Sequence, residues 1–165
     1  MELWNLWNFL EPLNPKPPTP PKAPSLYNDP MRYLIALLAL AGVLVSCFAL
    51  REHYRPAGEE APCDINAVWD CGVVNHSPFA EIAHVPVAIF GIVGYAFIAG
   101  FSLAKRYGVV VFLATVAVGF SIYLTYIEAR ILETYCIWCV TSAGIIALTE
   151  ILAILTLLLN RRRAA

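Results

Sequence analysis

Four apolar runs, each about 20 residues long and bounded by short polar segments, organise the chain: residues 31–50, 85–103, 109–127 and 138–159. At ~1.5 Å per residue, a helix of that length crosses ~30 Å of hydrocarbon. The pattern predicts an all-α membrane protein, a four-transmembrane-helix bundle with a long outer loop between helices 1 and 2. That loop, residues 51–84, contains Ser77 directly before Pro78. Ser as N-cap and Pro at the first helical position predict a short surface helix over 78–83, with Phe79 and Ile82 facing inward. The link between runs two and three is only Ala104-Lys105-Arg106-Tyr107-Gly108. Before the first run, Leu3, Leu6, Trp7 and Leu10 recur at helical spacing beside Trp4 and Phe9, which fits a short interfacial helix or a frayed terminus. Seven prolines between Pro12 and Pro24 then form an extended linker. No basic region or cleavage signature precedes the first run, so no signal peptide is expected. The expected division is a Pro-rich cytoplasmic tail over 1–30, the membrane domain over 31–160 and a basic cytoplasmic tail over 161–165.

Charge adds an orientation. Only 14% of residues are charged and 59% are hydrophobic, unlike a soluble domain. With the N-terminus in the cytoplasm, Lys16, Lys22, Arg32, Lys105, Arg106, Arg161, Arg162 and Arg163 lie inside, and Arg51, Arg55 and Arg130 outside. The positive-inside rule favours this arrangement. It places both termini in the cytoplasm and the cysteines of the loops outside, at a multi-pass cell membrane and on the side where disulfide chemistry operates. No basic stripe points to nucleic acid. Membrane lipids are the expected surroundings.

The chemistry lies in two cysteine pairs, Cys63 and Cys71 in the long loop and Cys136 and Cys139 in a C-x-x-C that opens the fourth run. At i and i+3, Cys136 and Cys139 share one face of a first helical turn, where the helix N-terminus favours a thiolate. Cys136 is expected nearer water and Cys139 deeper, so that Cys136 exchanges with other thiols and Cys139 meets an apolar ligand. A closing thiol pair releases two electrons, and two such pairs at one face of a bundle can form a relay if the Cys63–Cys71 loop moves. Two other readings remain: a non-catalytic membrane scaffold with two structural disulfides, and a four-thiolate zinc site. Cys47, inside the first run, reads as a small core residue.

In this order and topology, Cys63-x7-Cys71, Ser77, Pro86-Val-Ala-Ile-Phe-Gly91 and Cys136-Ile-Trp-Cys139 resemble the vitamin K epoxide reductase family, in a microbial single-domain form, over about residues 31–160. The resemblance implies an oxidoreductase that passes electrons from thiols to a quinone and supports disulfide formation in exported proteins. Cys136 and Cys139 would be the active-site pair, with Cys139 touching the quinone ring. Cys63 and Cys71 would be the shuttle pair, Cys71 forming a transient disulfide with Cys136 and Cys63 exchanging with the partner. Ser77 would lie near the quinone. The quinone, of ubiquinone, menaquinone or phylloquinone type, is the implied substrate, and a separate thioredoxin-fold redox protein on the outer face is the implied electron donor. Animal members carry an asparagine where this chain has Val87 and a tyrosine where it has Ala143, so plain quinone reduction is expected here rather than epoxide reduction. His84 stands where microbial members often have glycine.

Glu150 is the one acid in mid-run. Eleven residues beyond Cys139, it shares a helical stripe with Cys139, Ala143 and Ile146. Small Ala143 would leave room in that stripe for a flat ring in the quinone pocket. Glu150 lies about 16 Å along the axis, too far to protonate a ligand beside Cys139, and is expected to bond a neighbouring helix, with Thr115 as candidate. Trp138 and Tyr135 read as interface anchors, and His53 and His76 as solvated loop residues.

Overall fold

The computed structural model describes residues 28–164 apart from 57, 58 and 60. Four long apolar helices dominate: α1 (Asn28–His53), α3 (Val87–Leu103), α4 (Tyr107–Ile127) and α5 (Ile137–Ala164), with a five-residue helix α2 (Cys71–Asn75) in the loop after α1. Three of the long segments, Pro30–His53, Tyr107–Leu132 and Ile137–Arg162, are long and apolar enough to cross a membrane. The fourth, α3, has 17 residues, at the lower limit for a span. The helical ends outrun the hydrophobic runs: α1 starts at Asn28 and continues to His53, and α5 continues through Arg161–Arg162. The expected interfacial helix near Leu3 and the proline linker fall outside the described residues.

α1 packs chiefly on α3 and α5, and α4 packs on α5. The interior at these crossings is dominated by small side chains, among them Ala39, Ala99, Ala114 and Ala153, around Ile35, Ile98 and Val110. Small residues let helix backbones approach closely where no water drives them together. Gly42 shows this directly, because a Cβ there would overlap the ring of Tyr95. The large apolar side chains point outward instead: Leu37, Leu44, Phe112, Ile122 and Ile151 are all more than half exposed. This inside-out distribution suits a hydrocarbon solvent.

Connections close with little chain. Arg106 N–H donates to Phe101 O at 2.9 Å and Lys105 N–H to Ser102 O at 2.9 Å, with Lys105 left-handed at φ 58°. This is the paired bond pattern that ends a helix at a left-handed residue. The expected helix over 78–83 is not formed. Pro78–Ala80 makes one 3₁₀ turn, and Glu81–Ile82 (β1) then pairs antiparallel with Val85–Pro86 (β2). Ala83 and His84, the two residues of the hairpin turn, have φ of 52° and 63°. Two-residue hairpins favour positive φ at both positions to match the strand twist. Phe79 and Ile82 are both partly exposed, at 38% and 45%.

At its far end α4 widens into a π-helical turn, Glu128–Leu132, which stops at left-handed Glu133. The chain then runs through Tyr135, whose N–H donates to Val68 O at 2.8 Å and whose carbonyl accepts from Asp70 N–H at 3.1 Å. This bridge ties the α1–α3 loop to the start of α5, and the Trp69 and Tyr135 rings lie 5.6 Å apart above it. It brings the two cysteine pairs into one buried cluster.

Candidate functional site

Short polar side chains fold the segment that carries the first pair. Asn66 Oδ1 accepts from Val68 N–H and Trp69 N–H at 2.9 and 3.1 Å, turning the chain back on itself. Asp64 accepts from Ala61 N–H at 2.6 Å and Gly72 N–H at 3.2 Å. Burial works to raise the Asp64 carboxyl, but the N–H groups of Ala61, Gly72 and Cys71 outweigh it and hold it below the usual carboxylate range. Asp70 caps α2 through Val73 N–H at 2.8 Å. With both ends of the segment held, Cys63 and Cys71 are joined in a disulfide, Cα atoms 5.8 Å apart. Their sulfurs are therefore not thiolates available to a four-cysteine zinc site in this state.

Cys136 lies directly beneath that disulfide, fully buried with Ala61, Cys63, Cys71 and Val74. Cys136 stands at the helix start and Cys139 further in, as expected, but Cys136 is not open to water, because the loop folds over it like a lid. Cys136 occupies the N-cap position of α5, its carbonyl accepting from Val140 N–H at 3.0 Å. Asn75 Nδ2 donates both to Cys71 O at 2.9 Å and to Cys136 Sγ at 3.4 Å, holding one member of each pair. A hydrogen bond from Cys139 lowers the Cys136 thiol below its ordinary value; burial opposes this, while the Cys139 backbone N–H and the Asn75 amide add to it.

Cys139, one turn into α5, faces a cavity of about 430 Å³ enclosed by α1, α3, α4 and α5. Its walls are mostly apolar, including Phe90, Phe120, Leu124 and Trp138, with a few polar groups, among them His53, Asn75, Ser77, Glu128 and Ser142. Such a lining, in this size range, suits a flat apolar molecule with polar edges. Trp138 stacks on Phe48 at 4.8 Å and 18° and forms part of the wall. Two buried polar atoms on cavity-lining residues lack a protein partner, the donor Trp138 Nε1 and the acceptor Glu128 Oε2. A ligand bearing both an acceptor and a donor oxygen would satisfy them.

Other sequence expectations fare unevenly. Ser77 lines the cavity and precedes the 3₁₀ turn, but its Oγ donates backwards to Val74 O at 2.8 Å and makes no capping bond. Ala143 is corrected: it does not line this cavity but an adjoining groove with Ile122 and Tyr126, which shares Ser121, Thr125 and Ile146 with the cavity. Ser142 is fixed on the cavity wall by Tyr95, whose Oη donates to Ser142 O at 2.8 Å and pairs with Ser142 Oγ at 3.0 Å. Glu150 accepts from Thr115 Oγ1 at 2.6 Å, the expected interhelical bond. Cys47 is exposed on the outer face of α1 and is not a core residue. His53 is a cavity residue and not a solvated one: Nδ1 meets Asn75 O at 2.7 Å and Nε2 meets Glu81 Oε1 at 3.3 Å. His76 spans Gly72 O and Arg55 O, at 2.8 and 2.9 Å.

The residues missed from sequence are Asn75 and Glu128. Asn75 stands four residues after Cys71, one helical turn, and so shares its face. Glu128 closes an otherwise apolar run, a place where an acid needs a reason. No curated protein matches this chain. A model of the vitamin K epoxide reductase family matches residues 33–154, which include both cysteine pairs and most of all four long helices. Cysteine order, helical frame and the cavity beside Cys139 thus meet in one assignment, and the chain belongs to the vitamin K epoxide reductase family.

Proposed function

We propose that the protein is a membrane dithiol:quinone oxidoreductase supporting disulfide formation in exported proteins. Electrons would run from a thioredoxin-fold partner outside the membrane through Cys63 and Cys71 to Cys136 and Cys139, and from there to a quinone. All four long helices would cross the membrane, with both termini in the cytoplasm. The observation that carries this reading is the position of Cys139: its thiol lines the apolar cavity while its partner Cys136 packs against the Cys63–Cys71 disulfide. Family membership supports the same chemistry.

The residues of the chain divide the work. In the forward direction Cys71 would attack Cys136 in a Cys136–Cys139 disulfide and release Cys139; Cys63 would then close on Cys71 and release Cys136, whose lowered thiol makes it a good leaving group and which Asn75 keeps beside Cys71. Cys139 presents the reducing sulfur to the cavity. Phe48, Phe90, Phe120 and Trp138 supply flat apolar surface, and Tyr95 fixes the Ser142 edge. A quinone bound there accepts two electrons and two protons as the Cys136–Cys139 bond closes.

The test is turnover in detergent with a dithiol and a soluble quinone. The native chain is expected to consume quinone, and Cys139→Ala to fall to the uncatalysed background. Equal background rates for both chains, with thiols intact, would support the rival reading of a scaffold with two structural disulfides.

A further inference from the structure

Among the described residues, Glu128 is the only carboxylic acid that lines the cavity. It is 3% exposed, at the first position of the π-helical turn that ends α4. π turns insert an extra residue and re-aim side chains, often at functional sites. Here the turn sets the Glu128 carboxyl on the cavity wall that Cys139 also lines, near enough to the thiol pair to interact with it electrostatically. One of its oxygens, Oε2, is buried without a partner among the described residues. A buried acid beside a thiol pair, with an oxygen left unspent, needs a reason.

We propose that Glu128 is the acid–base group of the thiol pair, taking the Cys139 Sγ proton and passing it through the carboxyl to an oxygen of the ligand in the cavity. This deepens the function proposed above and rests on it. The balance is simple. Two S–H bonds break at Cys136 and Cys139, one S–S bond forms, and two electrons and two protons leave the pair. The quinone takes up both and becomes the quinol. One of the protons travels through Glu128, which ends each cycle as it began. The titratable groups around it are the Cys136 and Cys139 thiols on α5, Tyr95 on α3 and His53 on α1. The short helix α2, which packs on the π turn, carries no charged residue.

The test compares the full chain with Glu128→Gln, Glu128→Asp and, as a control away from the cavity, Glu150→Gln, all in a Cys47→Ser background. With a dithiol and a water-soluble benzoquinone, Glu128→Gln is expected to lower kcat about a hundredfold while KM stays within about threefold. Glu128→Asp is expected to recover part of the loss, and Glu150→Gln to match the native rate. Two measurements need no quinone. Infrared difference spectra between the dithiol and disulfide states should show a carboxyl band that Glu128→Gln removes. Ultraviolet titration of thiolate should shift to lower pH in Glu128→Gln, because a negative neighbour that disfavours the Cys136 thiolate has gone. A Glu128→Gln chain that turns over within about twofold of native overturns the proposal. So does one that loses turnover with an unchanged thiolate titration and no carboxyl band assignable to Glu128. A native chain that consumes no quinone overturns the function, and the infrared band still decides whether Glu128 exchanges a proton with the pair.

Discussion

Asn75 does with one amide what a sulfur relay otherwise needs a rigid loop to do. Its Nδ2 bridges the carbonyl of Cys71 and the sulfur of Cys136, members of different pairs. A hydrogen bond to the thiolate stabilises the charged form, so removing it raises the thiol. Asn75→Ala is therefore expected to move the pH profile of exchange between the pairs upward and to slow exchange at neutral pH about fivefold, the equivalent of about 1 kcal/mol for one lost bond. Stopped-flow mixing of oxidised and reduced chains across a pH series reads this directly. The sign is that of a lowered thiol: reactive thiolate persists at lower pH than for an ordinary cysteine near 8.5, and the substitution takes that advantage away. At this scale the sequence was legible where chemistry is concentrated. The four cysteines and Ser77 stand out by type and spacing. Asn75 and Glu128 do not, because an isolated amide or acid acquires meaning only from what the fold sets against it.

The hairpin between α2 and α3 is the element most at odds with its residue types. Ala83 and His84 both hold positive φ, a region that costs side chains with a Cβ about 1 kcal/mol or more. His84 is fully exposed and 3.9 Å from Glu81, a contact too open to repay that cost. His84→Gly is expected to raise the thermal midpoint in detergent, by the equivalent of about 0.5–1 kcal/mol, without changing quinone turnover. The expectation of glycine at this position thus acquires a backbone reason. The Ser-Pro pair predicted a helix start, and a start is present, but the helix lasts one 3₁₀ turn. Pairing of Glu81–Ile82 with Val85–Pro86 competes for the same backbone, and a cap motif alone carries no information about such a partner. The bodies of the long helices were legible, because runs of about 20 apolar positions leave one economical structure in lipid. Their ends were not, since polar caps and the π turn extend them beyond the hydrophobic run.

For the molecule as a whole, α1 is the element on which α3 and α5 pack, and Gly42 is a point of close approach to α3. A methyl group there would displace the Tyr95 ring. Tyr95 in turn fixes Ser142 on the cavity wall. Gly42→Ala is expected to destabilise the bundle by about 1–3 kcal/mol, the usual cost of overpacking, and to raise KM for quinone more than it lowers kcat. Thermal unfolding and steady-state kinetics on one preparation separate the two effects. The sequence identified the apolar runs but not which helix pairs would meet. Side-chain size along a lipid-facing helix varies too little to specify a partner. It also left the cavity invisible, since Phe90, Phe120 and Trp138 are far apart in the chain and share no local pattern.

One feature of the loop carries further than its architecture. The Tyr135 bridge and the turns around Asn66 keep Cys63 at 4% exposure and Cys71 and Cys136 at none. In the relay proposed above, passage between the pairs would need no large excursion, whereas a protein donor would first have to prise the loop from α5. The barrier stands at the entrance, and the conductor behind it is insulated. In the function proposed above, small thiols would pass this entrance slowly, and a protein donor faster, because it brings binding energy enough to open the door.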